Sequence, residues 1–245
     1  MKTDPSTALI IGAGDATGAA IARAFAREGL ITCLVRRSRH TDALEALAQS
    51  IRADGHDARA MPCDARNEDE VIALFNTIET EIAPLDVVVF NIGANVFFPI
   101  TQTTARVYSK VWEMAAFAGF LAGREAARHM EPRERGTIIF TGASASVRGS
   151  AGFSAFAGAK AALRALSQSM ARELGPKNIH VAHTIIDGMI DSKFIRDNVP
   201  NVDDLRETDG ILNPDHIAQN YVMLHNQPRT AWTQELDLRP WIEKW

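Results

Sequence analysis

Cysteine is scarce in this chain: Cys33 and Cys63 are the only two in 245 residues, too few for a disulfide framework and at no zinc-finger spacing. Both read as reduced, buried small hydrophobes. Long apolar runs are also missing. Stretches such as Leu85 to Phe90 stop well short of the roughly 18 to 20 residues that cross a bilayer, which excludes a membrane span. Met1 to Ser6 carries Lys2, Asp4 and Pro5 where a secretory signal has an apolar core, so a cytoplasmic protein is expected. There is no excess of positive charge: 26 Lys plus Arg stand against 30 Asp plus Glu, a formal net charge of −4. Nothing here makes an electrostatic footprint for nucleic acid. Tyrosine is the scarcity with the largest consequence. There are two, Tyr108 and Tyr221.

What is present is alternation. Short β-branched runs and longer amphipathic segments follow one another, the signature of βα units on a parallel sheet. The pattern predicts strands over Thr7 to Ile11, Leu30 to Val35, Ala58 to Met61 and Val87 to Phe90, then Thr137 to Thr141, Ile179 to Ile185 and Glu235 to Leu238. It predicts helices over Thr17 to Glu28, Thr41 to Asp54, Glu68 to Ile82, Arg106 to Met130, Phe153 to Leu174 and Pro214 to Asn226. Near-continuous apolar strands such as Val87 to Phe90 indicate a sheet covered on both faces. The expected fold is a single-domain α/β/α three-layer sandwich on a seven-stranded parallel sheet. Residues 188–212 are the least regular stretch and lie beyond a strand end, where ligands bind in such sheets; they are the lid candidate.

The segment Gly12-Ala13-Gly14-Asp15-Ala16-Thr17-Gly18 lies between the first strand and the first helix, the context that turns a weak glycine pattern into a useful one. Glycine permits a tight turn at the strand end and close helix packing at the far side. The amides that open the helix, with its dipole, suit a pyrophosphate. Strand two ends at Arg36-Arg37, 24 residues after Gly12 for the first of them, where a dinucleotide fold places the group that reads the adenosine ribose. An acid there accepts from a 2′-hydroxyl and an arginine takes a 2′-phosphate, so NADP(H) is favoured over NAD(H). Asp15 opposes that preference.

Gly12 to Gly18, Cys63-Asp64, Phe90-Asn91-Ile92-Gly93 and Phe156-Ala157-Gly158-Ala159-Lys160 together resemble the short-chain dehydrogenase/reductase family over essentially the whole chain. The resemblance implies a Rossmann-like domain that assembles as a homodimer or homotetramer. It implies that Asp64, with Ala65, contacts adenine, and that Asn91 and Gly93 close over the adenosine ribose. It also implies that the segment holding Gly188, Ile190 and Ser192 meets the nicotinamide carboxamide.

The family's active site is an asparagine, a serine, a tyrosine and a lysine, the last two four residues apart on one helix. Here Lys160 survives, but Phe156 occupies the tyrosine position, Ala143 the serine position with Ser144 beside it, and Ala115 the asparagine position. Trp112 follows Tyr108 by four residues and His225 follows Tyr221 by four, so no other tyrosine-lysine pair of that spacing exists. Candidate catalytic residues are therefore Lys160, Ser144 and Phe156. The expected activity is an atypical NADP(H)-dependent oxidoreductase acting on a hydrophobic carbonyl or an activated C=C or C=N bond. The alternative is a dinucleotide-binding protein of the same fold without hydride transfer, in a regulatory, assembly or non-redox role. Phe97, Phe98, Phe153, Phe156, Met189 and Phe194 are each placed evenly between pocket lining and core. His180 and His183 are three apart on a strand and face opposite ways, which argues against a shared metal. Trp232, Trp241 and Trp245 suggest a subunit contact, with docking on the same domain as the competing reading.

Overall fold

Val, Ile and Thr are stiff at χ1 and pack well on a pleated surface, and the runs they dominate are the strands of the computed structural model, which describes residues 4–244. These are β1 (Thr7–Ile11), β2 (Ile31–Val35), β3 (Ala58–Ala60), β4 (Leu85–Phe90), β5 (Gly136–Thr141), β6 (Ile179–Ile186) and β7 (Glu235–Leu238). All pair in parallel, in the order β3-β2-β1-β4-β5-β6-β7. Period-two alternation assigns each strand's side chains to opposite layers. Ile10, Val87, Val89 and Ile139 face one core with α1 (Thr17–Arg27), α2 (Thr41–Ala53) and α9 (Pro214–His225). Leu9, Val88, Phe90 and Phe140 face the other with α3 (Glu68–Thr77), α5 (Ala118–Met130) and α6 (Ser154–Leu174). The result is the expected three-layer sandwich.

Register decides where function can sit. Ile11 pairs with Val35 and with Phe90, Phe90 with Phe140, and Thr141 with Thr184. The chain therefore leaves β1, β2, β4 and β5 along one edge, at Gly12, Arg36, Asn91 and Gly142. The strand order reverses between β1 and β4, and a crevice opens there because the following connections depart to opposite sides.

Several expectations are corrected. The predicted helix from Arg106 to Met130 is α4 (Ala105–Trp112), a π-turn over Glu113–Phe117, and then α5. The one predicted from Glu68 to Ile82 ends as α3 and continues as a π-turn over Ile78–Ile82. Hydrophobic periodicity does not register one wide turn inside a helix. The irregular stretch 188–212 contains α7 (Lys193–Asn198) and α8 (Val202–Glu207), each too short to show a period. Trp232 docks on its own fold: its ring stacks on His180 at 4.8 Å and its Nε1 donates to Gln227 O at 3.1 Å. Trp241 is exposed, and Trp245 lies outside the described residues.

Other details agree with the sequence. Asn213 caps α9, accepting from Asp215 N at 2.8 Å, and Pro214 takes the first helical position. Cys33 and Cys63 are free and buried, and burial pushes both thiols up to about 12, which disfavours the reactive thiolate. Among the described residues no helix is long and apolar enough to cross a membrane.

Candidate active site

The floor of the crevice is built by glycines with distinct tasks. Gly12 leaves β1 at φ +95°, and a Cβ there would sit 2.7 Å from Asn91 O. A Cβ on Gly18 would sit 2.3 Å from Gly12 O. A side chain at Gly18 would push α1 off the end of β1, and one at Gly12 would collide with the backbone that leaves β4. Gly14 differs, since a Cβ there would meet nothing within 4 Å; it keeps the cleft clear. Asn91 ties the floor together, its N–H donating to Ile11 O at 2.8 Å and its Nδ2 to Gly12 O at 3.1 Å. Ala16 stands at the N-cap of α1 and brings no side-chain cap. The first-turn amides of that helix, which have no intrahelical acceptor, therefore remain available to an anion.

Two adjoining pockets open over this floor and share Gly12, Gly14, Asn91, Ile92 and Gly93. The first holds Arg36, Arg37, Asp64 and Ala65, all expected, and adds His40, Arg66 and Met114. Burial, followed by the fields of Arg39 and Arg66, lowers the pKa of Arg37; burial and the neighbouring arginines likewise lower that of His40. The field of Asp64 acts the other way on Arg37 and partly offsets this mutual repulsion. Arg66 grips the Asp64 carboxylate with Nε at 2.8 Å and Nη2 at 2.5 Å, and that hydrogen bonding holds it below the usual carboxylate range.

The second pocket holds Asp15, Ala16, Thr17, Gly18, Ser144, Phe156, Lys160, Gly188 and Ile190, as expected, and adds Asn95. Asp15 thus lines this pocket and not the arginine-rich one. Ser192 lines neither; its Oγ accepts from Ile195 N at 3.3 Å and caps α7. His40 and Arg66 carried a signal in sequence, being close neighbours of Arg36 and Asp64. Met114 and Asn95 carried none: the first is placed by a π-turn and the second by a loop.

Lys160 is 2% exposed, with Nζ donating to Ile92 O at 2.9 Å and Thr141 O at 2.7 Å. Burial drives its pKa down to about 7. One turn earlier on α6, the Phe156 ring has its centroid 5.9 Å from Nζ. Ala115 is buried in the same apolar cluster as Phe156, and Ala143 packs against that cluster. Ser144 opens a 3-10 turn and lines the pocket beside Phe156. Among the described residues lining this pocket there is no phenol, and both tyrosines lie elsewhere. Of the six apolar residues considered for the pocket, Phe156 lines it. Phe153 packs behind it, edge-on to Phe97 with centroids 5.2 Å apart, and Phe97, Phe98, Met189 and Phe194 are exposed.

Comparison with known proteins bears on this arrangement. A family model described as short chain dehydrogenase matches residues 6–202. A versicolorin reductase from Emericella nidulans is 30% identical over 205 residues, 82% of this chain and 76% of that one. A solved short-chain dehydrogenase from Rhodopseudomonas palustris is 48% identical with a TM-score of 0.82, covering 96% of this chain and 99% of its own. A metagenomic short-chain oxidoreductase solved with NADP shares the fold at a TM-score of 0.81 and 24% identity, over 97% of this chain and 98% of its own.

The buried amine leaves a thermodynamic mark. A lysine whose folded pKa is about 7, against an ordinary 10.5, binds fewer protons folded than unfolded between those values, so its contribution to stability rises with pH across that window. Thermal melts of the wild type and Lys160→Met from pH 7 to 9 are expected to show the wild-type midpoint climbing relative to the variant. Parallel curves would mean that the amine is not held in the low-dielectric interior.

Proposed function

The chain belongs to the short-chain dehydrogenase family of NAD(P)-dependent oxidoreductases, and we propose that it exchanges hydride between NADP(H) and a hydrophobic carbonyl or an activated C=C or C=N acceptor. The cleft fits a dinucleotide on its own geometry: a glycine floor, an open space over Gly14 and an uncapped helix start. When bound, the nicotinamide supplies or takes up the hydride. Gly12 to Gly18 hold the pyrophosphate. Arg36 and Arg37, with His40, take the 2′-phosphate, and Asp64 and Ala65 border the adenine. Asn91 and Gly93 floor the adenosine ribose, Lys160 the nicotinamide ribose, and Gly188 and Ile190 the carboxamide. Ser192 contributes through its cap on α7, and residues 188–212 form the lid.

The observation that carries the chemistry is Phe156 beside Lys160. In the family the phenol at this position gives a proton to the carbonyl oxygen as hydride arrives. Phe156 keeps the ring and removes the proton, and a general acid is worth about 10²- to 10⁴-fold. Positioning of donor and acceptor is a separate contribution and is retained. A water held at Lys160 Nζ is the first substitute, since an amine with a pKa near 7 can hold or release a proton at neutral pH; the Ser144 hydroxyl is the second. Acceptors that are already electron-poor need no proton at the moment of transfer. Phe156 in the pocket wall and the apolar cluster behind it support a hydrophobic substrate, as does the relative named for its action on versicolorin.

Two further attributes complete the reading. Trp112, Phe117 and Phe120 stack in series, with centroids 5.9 and 6.2 Å apart, and Trp112 and Phe120 are exposed. They offer an apolar face to a second copy in a homodimer or homotetramer. Free buried thiols suit the reducing cytoplasm.

A panel of simple ketones, activated enones and cyclic imines, read by NADPH consumption, tests the reaction. Turnover is expected for the activated acceptors. Phe156→Tyr should raise kcat/KM for simple ketones about a hundredfold or more, the low end of what a general acid supplies, and leave activated acceptors little changed. Equal turnover of simple ketones by the wild type would overturn the acid-free account, and NADPH binding without any turnover would favour the reading without hydride transfer. Replacing Arg36 and Arg37 by Ser should weaken NADPH about tenfold or more while sparing NADH, since hydrogen bonds to charged groups contribute roughly 1.5 to 3 kcal/mol. Equal losses for both dinucleotides would remove the arginines from cofactor selection.

A further inference from the structure

We propose that Asp187 is a positioning residue for the cofactor cleft, and that residues 239–244 govern the cleft through it. Asp187 follows β6 and is 2% exposed. A carboxylate this buried is costly without partners, and each of its partners comes from a different part of the site. Arg148 Nη2 lies 3.1 Å from Oδ1, and Arg239 Nη1 lies 3.7 Å from Oδ2. Arg148 belongs to the turn that carries Ser144, its N–H donating to Ser144 O at 3.0 Å. Arg239 opens the segment after β7. The same Arg148 guanidinium is 3.9 Å from Glu243, so the segment is held at both ends of a short arc. The backbone repeats the connection: Asp187 N donates to Leu238 O at 2.8 Å.

The next residue delivers this arrangement to the cleft. Gly188 lines the pocket with Phe156 and Lys160. Its φ is +136°, and a Cβ there would sit 2.8 Å from Pro240 Cδ. Pro240 is therefore packed directly behind a wall of the pocket. Beyond Pro240 the segment turns to residues 188–212: Trp241 Nε1 donates to Thr208 O at 2.9 Å, and Ile242 lies against Gly210. Asp191 is gripped from that side by Arg196 at 2.9 Å and Arg206 at 3.1 Å. Residues 239–244 thus bridge the Ser144 turn, the Gly188 wall and the α8 loop, with Asp187 as the buried charge on which the bridge converges. Coupling between two sites is reciprocal. Whatever fixes Gly188 also orders residues 239–244, and loss of those residues loosens Gly188.

The link to the cofactor rests on the proposed NADP(H) site; the link between segment and wall does not. Amide hydrogen exchange on the full chain without cofactor tests the second. A chain ending at Leu238, and separately Asp187→Asn, should exchange faster at Ser144 to Arg148 and at Gly188 to Ile190, with β1 and β4 unchanged. Arg148→Gln, at a half-exposed position, serves if either variant fails to fold. Unchanged exchange at those two places would overturn the proposal. NADPH titration by fluorescence then tests the first link. Each change should weaken binding about tenfold, within the usual range of coupling. The truncated Asp187→Asn chain should be no worse than either alone, because residues acting through one contact are not additive. Additive losses, or unchanged affinity in both single variants, would overturn control of the cleft. Failure of the wild type to bind NADPH would sink the cofactor reading and leave the exchange result standing.

Discussion

The Lys160 amine, taken out of water and held by two backbone carbonyls, is the constraint around which the site is arranged. Ile92 O comes from the loop after β4 and Thr141 O from the end of β5, so one side chain on α6 joins the two strand ends beside the crevice. The apolar surroundings that make those hydrogen bonds strong also make the charge costly, and the pKa falls to about 7. The same enclosure brings the Phe156 ring to 5.9 Å from Nζ. The shape of the pocket depends on how that amine is held, and on the proposed reading so do cofactor binding and proton supply.

Around this point the structure separates binding from proton supply. The elements assigned to binding are intact and mutually consistent. Gly12 and Gly18 sit where backbone contacts tolerate no Cβ, Gly14 borders open space, and Arg36, Arg37 and His40 gather beyond the end of β2 in a pocket they share with Asp64. Ala115 and Phe156 pack into one apolar cluster with Ala143 against it, at the positions proposed to have lost the groups that move a proton. On the proposed reading this arrangement favours hydride acceptors whose reactivity lies in the substrate.

Much of this was legible in the sequence because it rests on local rules. Alternation identified all seven strands to within a residue or two, and the glycine spacing identified the crevice floor. The four-residue step from Phe156 to Lys160 placed both on one face of α6. What was not legible depends on geometry with no local signature. Met114 reaches the arginine-rich pocket from a π-turn, and Asn95 reaches the second pocket from a loop. Ser192, expected by alignment near the carboxamide, lines neither pocket and caps α7, a role the alignment did not show. For Trp232 the sequence left a subunit contact and docking on its own domain both open, and the second holds: its ring stacks on His180, 52 positions earlier in the chain. Asp64 was correctly placed beside the first pocket, while its capture by Arg66 depended on a side-chain rotamer.

The most direct test of the central claim is a single-turnover reaction of an electron-poor enone with NADPH deuterated at the transferable position of the nicotinamide. Transfer without a tyrosine predicts deuterium in the product, a primary isotope effect on cofactor oxidation, and both features unchanged in Phe156→Tyr. Bound NADPH that stays reduced with every acceptor, or product that contains no deuterium, would contradict it.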